Sequence, residues 1–185
     1  MNVSKTLLLF PIILLVVACG GGSDGGGMTT PTVCIDFTGG TAATSGSVVA
    51  QQGSGSTCDV VAVDLIVTGV NDLFGMGVTL SYDPAVASYE GLTTVGSVLA
   101  QGGVQVQALE LESSGQVLIG ATRTGATTNG VNVAGSQLLL RVLFRKVGSG
   151  GMTTISYSDN QLLDAQQPPM SIPGISWSAG QLVVQ

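Results

Sequence analysis

Two glutamates spaced for acid–base work stand in the run "QALELESSG": Glu110 and Glu112 lie two residues apart. On an extended strand that spacing puts both on one face, about 6.8 Å from each other, which overlaps the roughly 6.5–9.5 Å between the carboxyls of inverting glycosidases. The geometry argues against catalysis, because neighbours on one strand face cannot flank a glycosidic bond from opposite sides. A solvated strand edge is the expected role. No other catalytic set is on offer. The chain has no histidine, so it lacks the side chain that ordinarily titrates near neutrality, and with it every Ser-His-Asp or Cys-His arrangement. Its three cysteines, Cys19, Cys34 and Cys58, cannot by themselves fill a tetrahedral zinc site. The run "SDNQLLDA" from Ser158 to Ala165 lacks the glycine and terminal glutamate of an EF-hand loop. A non-catalytic protein without metal or cofactor is expected.

Composition says what must carry these residues. Among 185 residues there are 28 glycines, with abundant Val, Thr and Ser, a mixture that disfavours helices and favours short strands joined by turns. One all-β domain follows, a sandwich or barrel. Lys5, Arg123, Arg141, Arg145 and Lys146 are the only cations, against eleven carboxylates. With no basic stripe to neutralise phosphates, nucleic acid is excluded as a partner.

The N-terminal residues read as a processing segment. Lys5 precedes the apolar run "TLLLFPIILLVVA", Thr6 to Ala18, which is short for a membrane span and suits a signal h-region. Val16, Val17, Ala18 and Cys19 resemble the lipobox of bacterial lipoproteins. That resemblance implies a signal peptide over residues 1–19, cleavage before Cys19, and a lipid anchor on its sulfur. The expected location is outside the cytoplasm, held at the outer membrane or cell surface. Residues 20–57, beginning "GGGSDGGG", have the composition of a flexible tether. Within them Cys34, together with Cys58 just beyond, either forms a disulfide worth roughly 3 kcal/mol or leaves two free thiols.

The folded domain is expected over 58–185. In "DVVAVDLIVTGV" the residues Val61, Val63, Leu65 and Val67 share one face of a strand. A second strand carries Val78, Leu80 and Tyr82 into Asp83-Pro84, where proline removes a backbone donor and ends the ladder. Tyr82 reads as a core aromatic and Asp83 as a turn residue. A hairpin is predicted around Ser113, Ser114 and Gly115, with a slip of apolar phase between Ala108 and Leu109 that suggests a bulge or strand boundary. In "QLLLRVLFRK" the alternation places Leu138, Leu140, Val142 and Phe144 inward, and Leu139, Arg141, Leu143 and Arg145 outward.

The ordered set "VTGV", "LSYDP", "YEG", the glycine hairpin, "LLLRVLFRKVGSG" and "GQLVV" resembles the cohesin domain over Asp59 to Gln185. The resemblance implies a nine-stranded jelly-roll β-sandwich shared with carbohydrate-binding modules. It also implies docking of a dockerin-type protein partner, as cohesins do in polysaccharide-degrading assemblies. By that resemblance the partner face joins Gly75, Gly77, Thr79 and Ser81 side by side with Leu139, Arg141, Leu143 and Arg145. Well-known cohesins carry Asn and Asp where this chain has Gly75 and Gly77. The alternative is direct glycan binding, for which Tyr89, Tyr157 and Trp177 are the aromatics left to build a small stacking platform.

Overall fold

The computed structural model describes residues 32–40, 44–125 and 129–185. The expected leader 1–19, with Cys19, and the start of the expected tether lie outside the described residues. Among the described residues there are eleven strands and one 3-10 turn: β1 Ile35–Thr38, β2 Ser47–Gln52, β3 Val60–Ser81, β4 Ala87–Thr93, the 3-10 turn Val98–Ala100, β5 Gln105–Ser113, β6 Gln116–Thr124, β7 Val131–Lys146, β8 Gly151–Thr154, β9 Ser156–Asp164, β10 Ser176–Ser178 and β11 Gln181–Val184. The all-β sandwich expected from composition is therefore what forms, with two more short strands than the nine expected.

The 22-residue β3 organises it. Its first half pairs with β2 on one side and β7 on the other, and β4 and β10 extend that sheet outward. Its second half pairs with β6 and β9, and β5 lies beyond β6. The two strands read from the sequence are thus one, which changes sheets at a corner. The pairing with β7 shifts register between Thr68, Val70 and Leu73. Gly69 and Asp72 take left-handed φ values of 61° and 57° there, conformations that glycine adopts freely and aspartate tolerates. Asn132 Oδ1 accepts the Asp72 N–H at 2.9 Å. A separate three-stranded sheet, β1-β11-β8, completes the fold.

Both halves of the β3 sheet and the three-stranded sheet contribute to a single core, with Phe37, Leu65, Leu80, Ile119, Phe144 and Leu182 among its buried members. Tyr82 is buried as expected, its ring edge-on to Phe144 at 5.2 Å. Behind it Asp83 makes the turn. Its Oδ1 accepts from Ala85 N at 2.9 Å, and its carbonyl accepts from Val86 and Ala87, the local bonding that suits Asp to this position.

Three expectations need correction. The tether does not extend to residue 57: β1 and β2 belong to the sandwich, with Ile35 and Phe37 buried against β11 and Val48, Val49 and Ala50 buried beside β3. Runs of four and six residues are too short for their periodicity to stand out from a Gly/Ser/Thr background. Cys34 and Cys58 are joined in a disulfide, which ties β1 to the turn before β3.

Leu139 is buried, not outward. Leu65 pairs with Leu140 and Ile66 with Leu138, so Leu139 is the extra residue of a bulge and its side chain turns into the core. Ser97 Oγ donates to the Leu139 carbonyl at 2.5 Å, which satisfies the group the bulge leaves unpaired. β5, where a bulge or strand boundary was expected between Ala108 and Leu109, has neither: Gln105–Ser113 pairs with β6 in unbroken register. The apolar phase slips there because leucines occupy the outer face.

Candidate functional site

The second half of β3 does present Gly77, Thr79 and Ser81 outward, but beside β6 and β9 rather than β7. Register defines the face completely. Across β9, β3, β6 and β5 the central rows read Gln161–Gly77–Gly120–Leu109 and Ser158–Thr79–Leu118–Leu111. The outer rows read Leu163–Gly75–Thr122–Gln107 and Ser156–Ser81–Gln116–Ser113. No position in these rows carries a charge. Of the four β3 positions expected there, Gly75 alone is buried: a Cβ there would sit 2.9 Å from the Ala121 carbonyl oxygen.

The middle of the face is apolar and open. Leu109 and Leu111 expose 69% and 70% of their surface and Leu118 48%, and with Gly77, Glu110, Ile119 and Gly120 they line a hollow of about 350 Å³. Neither glycine is there for the backbone. Both keep ordinary negative-φ strand conformations. A Cβ on Gly120 would meet nothing within 4 Å, and one on Gly77 only Gln161, at 3.6 Å. Glycine inside a strand costs roughly 0.5–1 kcal/mol relative to alanine, so packing gives no reason for either one. What they supply is the hollow. Contiguous exposed apolar surface with a polar rim is the composition of an interface core.

The remaining members of the expected partner face lie on the other sheet and are already occupied. Arg141 forks onto Asp64, Nε to Oδ1 at 2.5 Å and Nη2 to Oδ2 at 2.9 Å, and also reaches Ser54. Arg145 forks onto Glu90 at 2.5 and 2.6 Å. The facing guanidinium holds the Glu90 carboxyl below its ordinary range. Lys146 bonds Asp59 at 2.8 Å and the Val33 carbonyl at 2.6 Å. Leu143 is half-buried between Ala62 and Gly91. The expected alternation of exposed leucines and arginines on β7 therefore does not exist, because the bulge inverts the phase at Leu139 and internal carboxylates claim both arginines.

The glycan-platform candidates do not share a plane. Tyr157, paired with Leu80, and Trp177, paired with Val48, both lean on the core and meet edge to face at 5.5 Å with an angle of 67°. Burial raises the Tyr157 phenol well above its ordinary range. Tyr89 stands edge-on to Phe144 at 6.3 Å and donates its hydroxyl to Glu110. Burial first, then that carboxylate, raise its phenol as well. The Glu110 carboxylate is thus a link between β4 and β5, and among the described residues no three His, Cys, Asp or Glu side chains converge as a metal site would require.

Sequence reasoning missed Arg123. It is 5% exposed and points inward from β6, donating from Nη1 to the Leu99 carbonyl at 2.6 Å and from Nη2 to the Gln101 carbonyl at 3.1 Å. It closes the C-terminal end of the 3-10 turn and fixes the loop that leads into β5. Its place in "IGATRT", alternating with buried Ile119 and Ala121, was the available signal.

No protein-family model matches the sequence, and no curated protein matches it. Solved structures do. The second type II cohesin module of the adaptor ScaA scaffoldin of Acetivibrio cellulolyticus superposes with a TM-score of 0.58 at 14% identity, over 76% of this chain and 90% of that one. A type II cohesin in a cohesin-X-dockerin complex from the same organism gives 0.55 at 12%, over 71% and 92%. A non-cellulosomal cohesin from the archaeon Archaeoglobus fulgidus gives 0.50 at 17%, over 80% and 88%. The fold is that of a cohesin domain. The cohesin-like sandwich here carries its outward apolar surface on the β9-β3-β6-β5 sheet, the sheet whose central strand runs into Tyr82-Asp83-Pro84.

Proposed function

We propose that this is a non-catalytic docking module, and that the β9-β3-β6-β5 face receives a dockerin-type protein partner. The observation that carries the reading is the hollow between Leu109, Leu111 and Leu118, floored by Gly77 and Gly120, two glycines that packing does not require. A cohesin-like fold, and the presence of a dockerin complex among the similar structures, support the same partner class. The four rows of the face are uncharged and Glu110 is the one charged residue lining the hollow, so recognition rests on apolar burial and shape, and ionic strength should matter little. We further propose that Cys19 carries a lipid that holds the module at the membrane surface, in a polysaccharide-degrading context.

The test measures binding of the domain spanning 32–185 to a panel of dockerin modules by biolayer interferometry. Leu111→Asp with Leu118→Asp should weaken the binding pair by about 100-fold or more, since each truncates a central apolar contact worth about 2 kcal/mol. Leu143→Asp, on the other sheet, should bind as the wild type does. Equal affinity of the wild type and the Leu111/Leu118 variant for every module that binds refutes the face. For the anchor, Cys19→Ser should move the protein from the detergent phase to the aqueous phase; an unchanged partition refutes it.

A further inference from the structure

β5 ends its sheet, and among the described residues no strand pairs with its outer edge. Which backbone groups line that edge follows from the hairpin. Ser114–Gly115 is a two-residue turn, and Tyr82 N donates to the Gly115 carbonyl at 2.9 Å. The odd-numbered residues of β6 therefore bond to β3 and the even-numbered ones to β5. On β5 the partners of those even residues are Gln105, Gln107, Leu109, Leu111 and Ser113. That leaves Val106, Ala108, Glu110 and Glu112 with N–H and C=O aimed away from the sheet, and among the described residues no backbone group bonds to them. Natural edge strands are blunted by charged side chains, proline or a bulge. β5 has no proline, lysine or bulge over nine residues; its only charges are Glu110 and Glu112, which restrict the registers in which another strand can pair, and it carries two leucines that are 69% and 70% exposed.

We propose that this edge pairs with β5 of a second copy of the chain, antiparallel, about a two-fold axis through Leu109. Charge selects the occupant and the register. With the axis at Leu109, Glu110 faces Ala108 of the second copy and Glu112 faces its Val106, so no carboxylate meets another directly. Moving the axis to Glu110 sets that residue against itself, and moving it to Leu111 sets Glu110 against Glu112; like charges directly opposed destabilise a sheet. Moving it to Ala108 avoids both but sets each leucine against a glutamine. Only the Leu109 register sets a leucine against a leucine and avoids both clashes, with Leu111 facing Gln107 of the second copy. The four free residues of each copy then exchange bonds as hydrogen-bonded pairs, and Leu109 meets its own counterpart in the close, non-hydrogen-bonded position, about 4.5 Å between Cα atoms. The four-stranded faces of the two copies become one eight-stranded face pointing the same way. This inference is independent of what the face docks.

The test is sedimentation velocity on the 32–185 domain over a concentration series. The wild type should show a reversible monomer–dimer equilibrium that tightens with added salt, since the only charges at the seam are carboxylates. Leu109→Lys and Leu109→Glu, both at an exposed position, should each weaken the dimer by about tenfold or more, and an equimolar mixture of the two should restore it, because a residue on a two-fold axis faces only its counterpart. Leu118→Lys, one strand away, should dimerise normally even if it abolishes docking. A wild type that stays monomeric up to about 1 mM overturns the proposal, as does a mixture that fails to recover the dimer or a dimer undiminished in either single variant.

Discussion

The glycines of the docking face allow folding and function to be separated by adding single methyl groups. Gly120→Ala places a Cβ where nothing lies within 4 Å, at a residue with ordinary strand φ. Alanine there restricts the unfolded chain and should stabilise by about 0.4–1 kcal/mol. Gly77→Ala should do the same, its nearest neighbour being a flexible glutamine end at 3.6 Å. Gly75→Ala is the contrast. Its Cβ would sit 2.9 Å from a backbone oxygen on β6, so the β3–β6 ladder must shift, at a cost of about 1–3 kcal/mol. In urea, with a slope of about 2 kcal/mol/M, the first two should raise the midpoint by about 0.2–0.5 M and the third should lower it by about 0.5–1.5 M. All three slopes should match the wild type. The same Gly77→Ala and Gly120→Ala proteins should lose partner affinity, because the methyl groups fill the hollow that a docked side chain must enter. If Gly120→Ala destabilises as much as Gly75→Ala, the glycines serve the fold and the reading of the face is wrong.

Leu139→Lys should cost about 3 kcal/mol or more while Leu111→Lys stays within about 0.5 kcal/mol in the same denaturation assay; the reverse order would restore the simple alternation on β7. Reduction of the Cys34–Cys58 bridge, which spans 24 positions, should lower stability by roughly 3 kcal/mol, read as a shift in urea midpoint with and without reductant. Tyr82, Tyr89 and Tyr157, the only tyrosines, all have raised phenol pKa values, each mainly through burial. The folded chain keeps protons that the unfolded chain releases near pH 10, so stability is full below that pH and falls as pH rises above it. Phenolate absorbance should then appear only together with loss of tertiary circular dichroism; gradual ionisation of an intact fold would contradict the burial.

The core was legible where alternation is long and undisturbed. Val61 to Val67 and Val78 to Tyr82 bury as their period requires, and Asp83 turns the chain through bonds that its own side chain supplies. What alternation could not show is where a strand changes sheets. Gly69 and Asp72 bend β3 without ending it, so strands adjacent in one half are not neighbours in the other, and the partner face implied by the cohesin resemblance came apart. The β7 bulge is silent for a related reason: in "QLLLR" three consecutive leucines fit either phase. On β5 the signal was present but pointed to the wrong cause. Leucines out of phase with the core marked an exposed surface, and a hydrophobic pattern alone does not distinguish a bulge from an interface.

The disulfide and the long strand together have a mechanical meaning. Tension applied from the N-terminal side of Cys34 does not have to peel β1 from β11, because the bridge passes it to Cys58, two residues before β3 begins. From there it runs along a single continuous strand that ends on the docking face at Gly77, Thr79 and Ser81. β3 is flanked on both sides, by β2 and β7 in its first half and by β6 and β9 in its second. A pull along its axis therefore loads those ladders in shear, many hydrogen bonds at once, rather than opening them one after another. A chain anchored before Cys34 and gripped on this face would carry the strain through its best-supported strand.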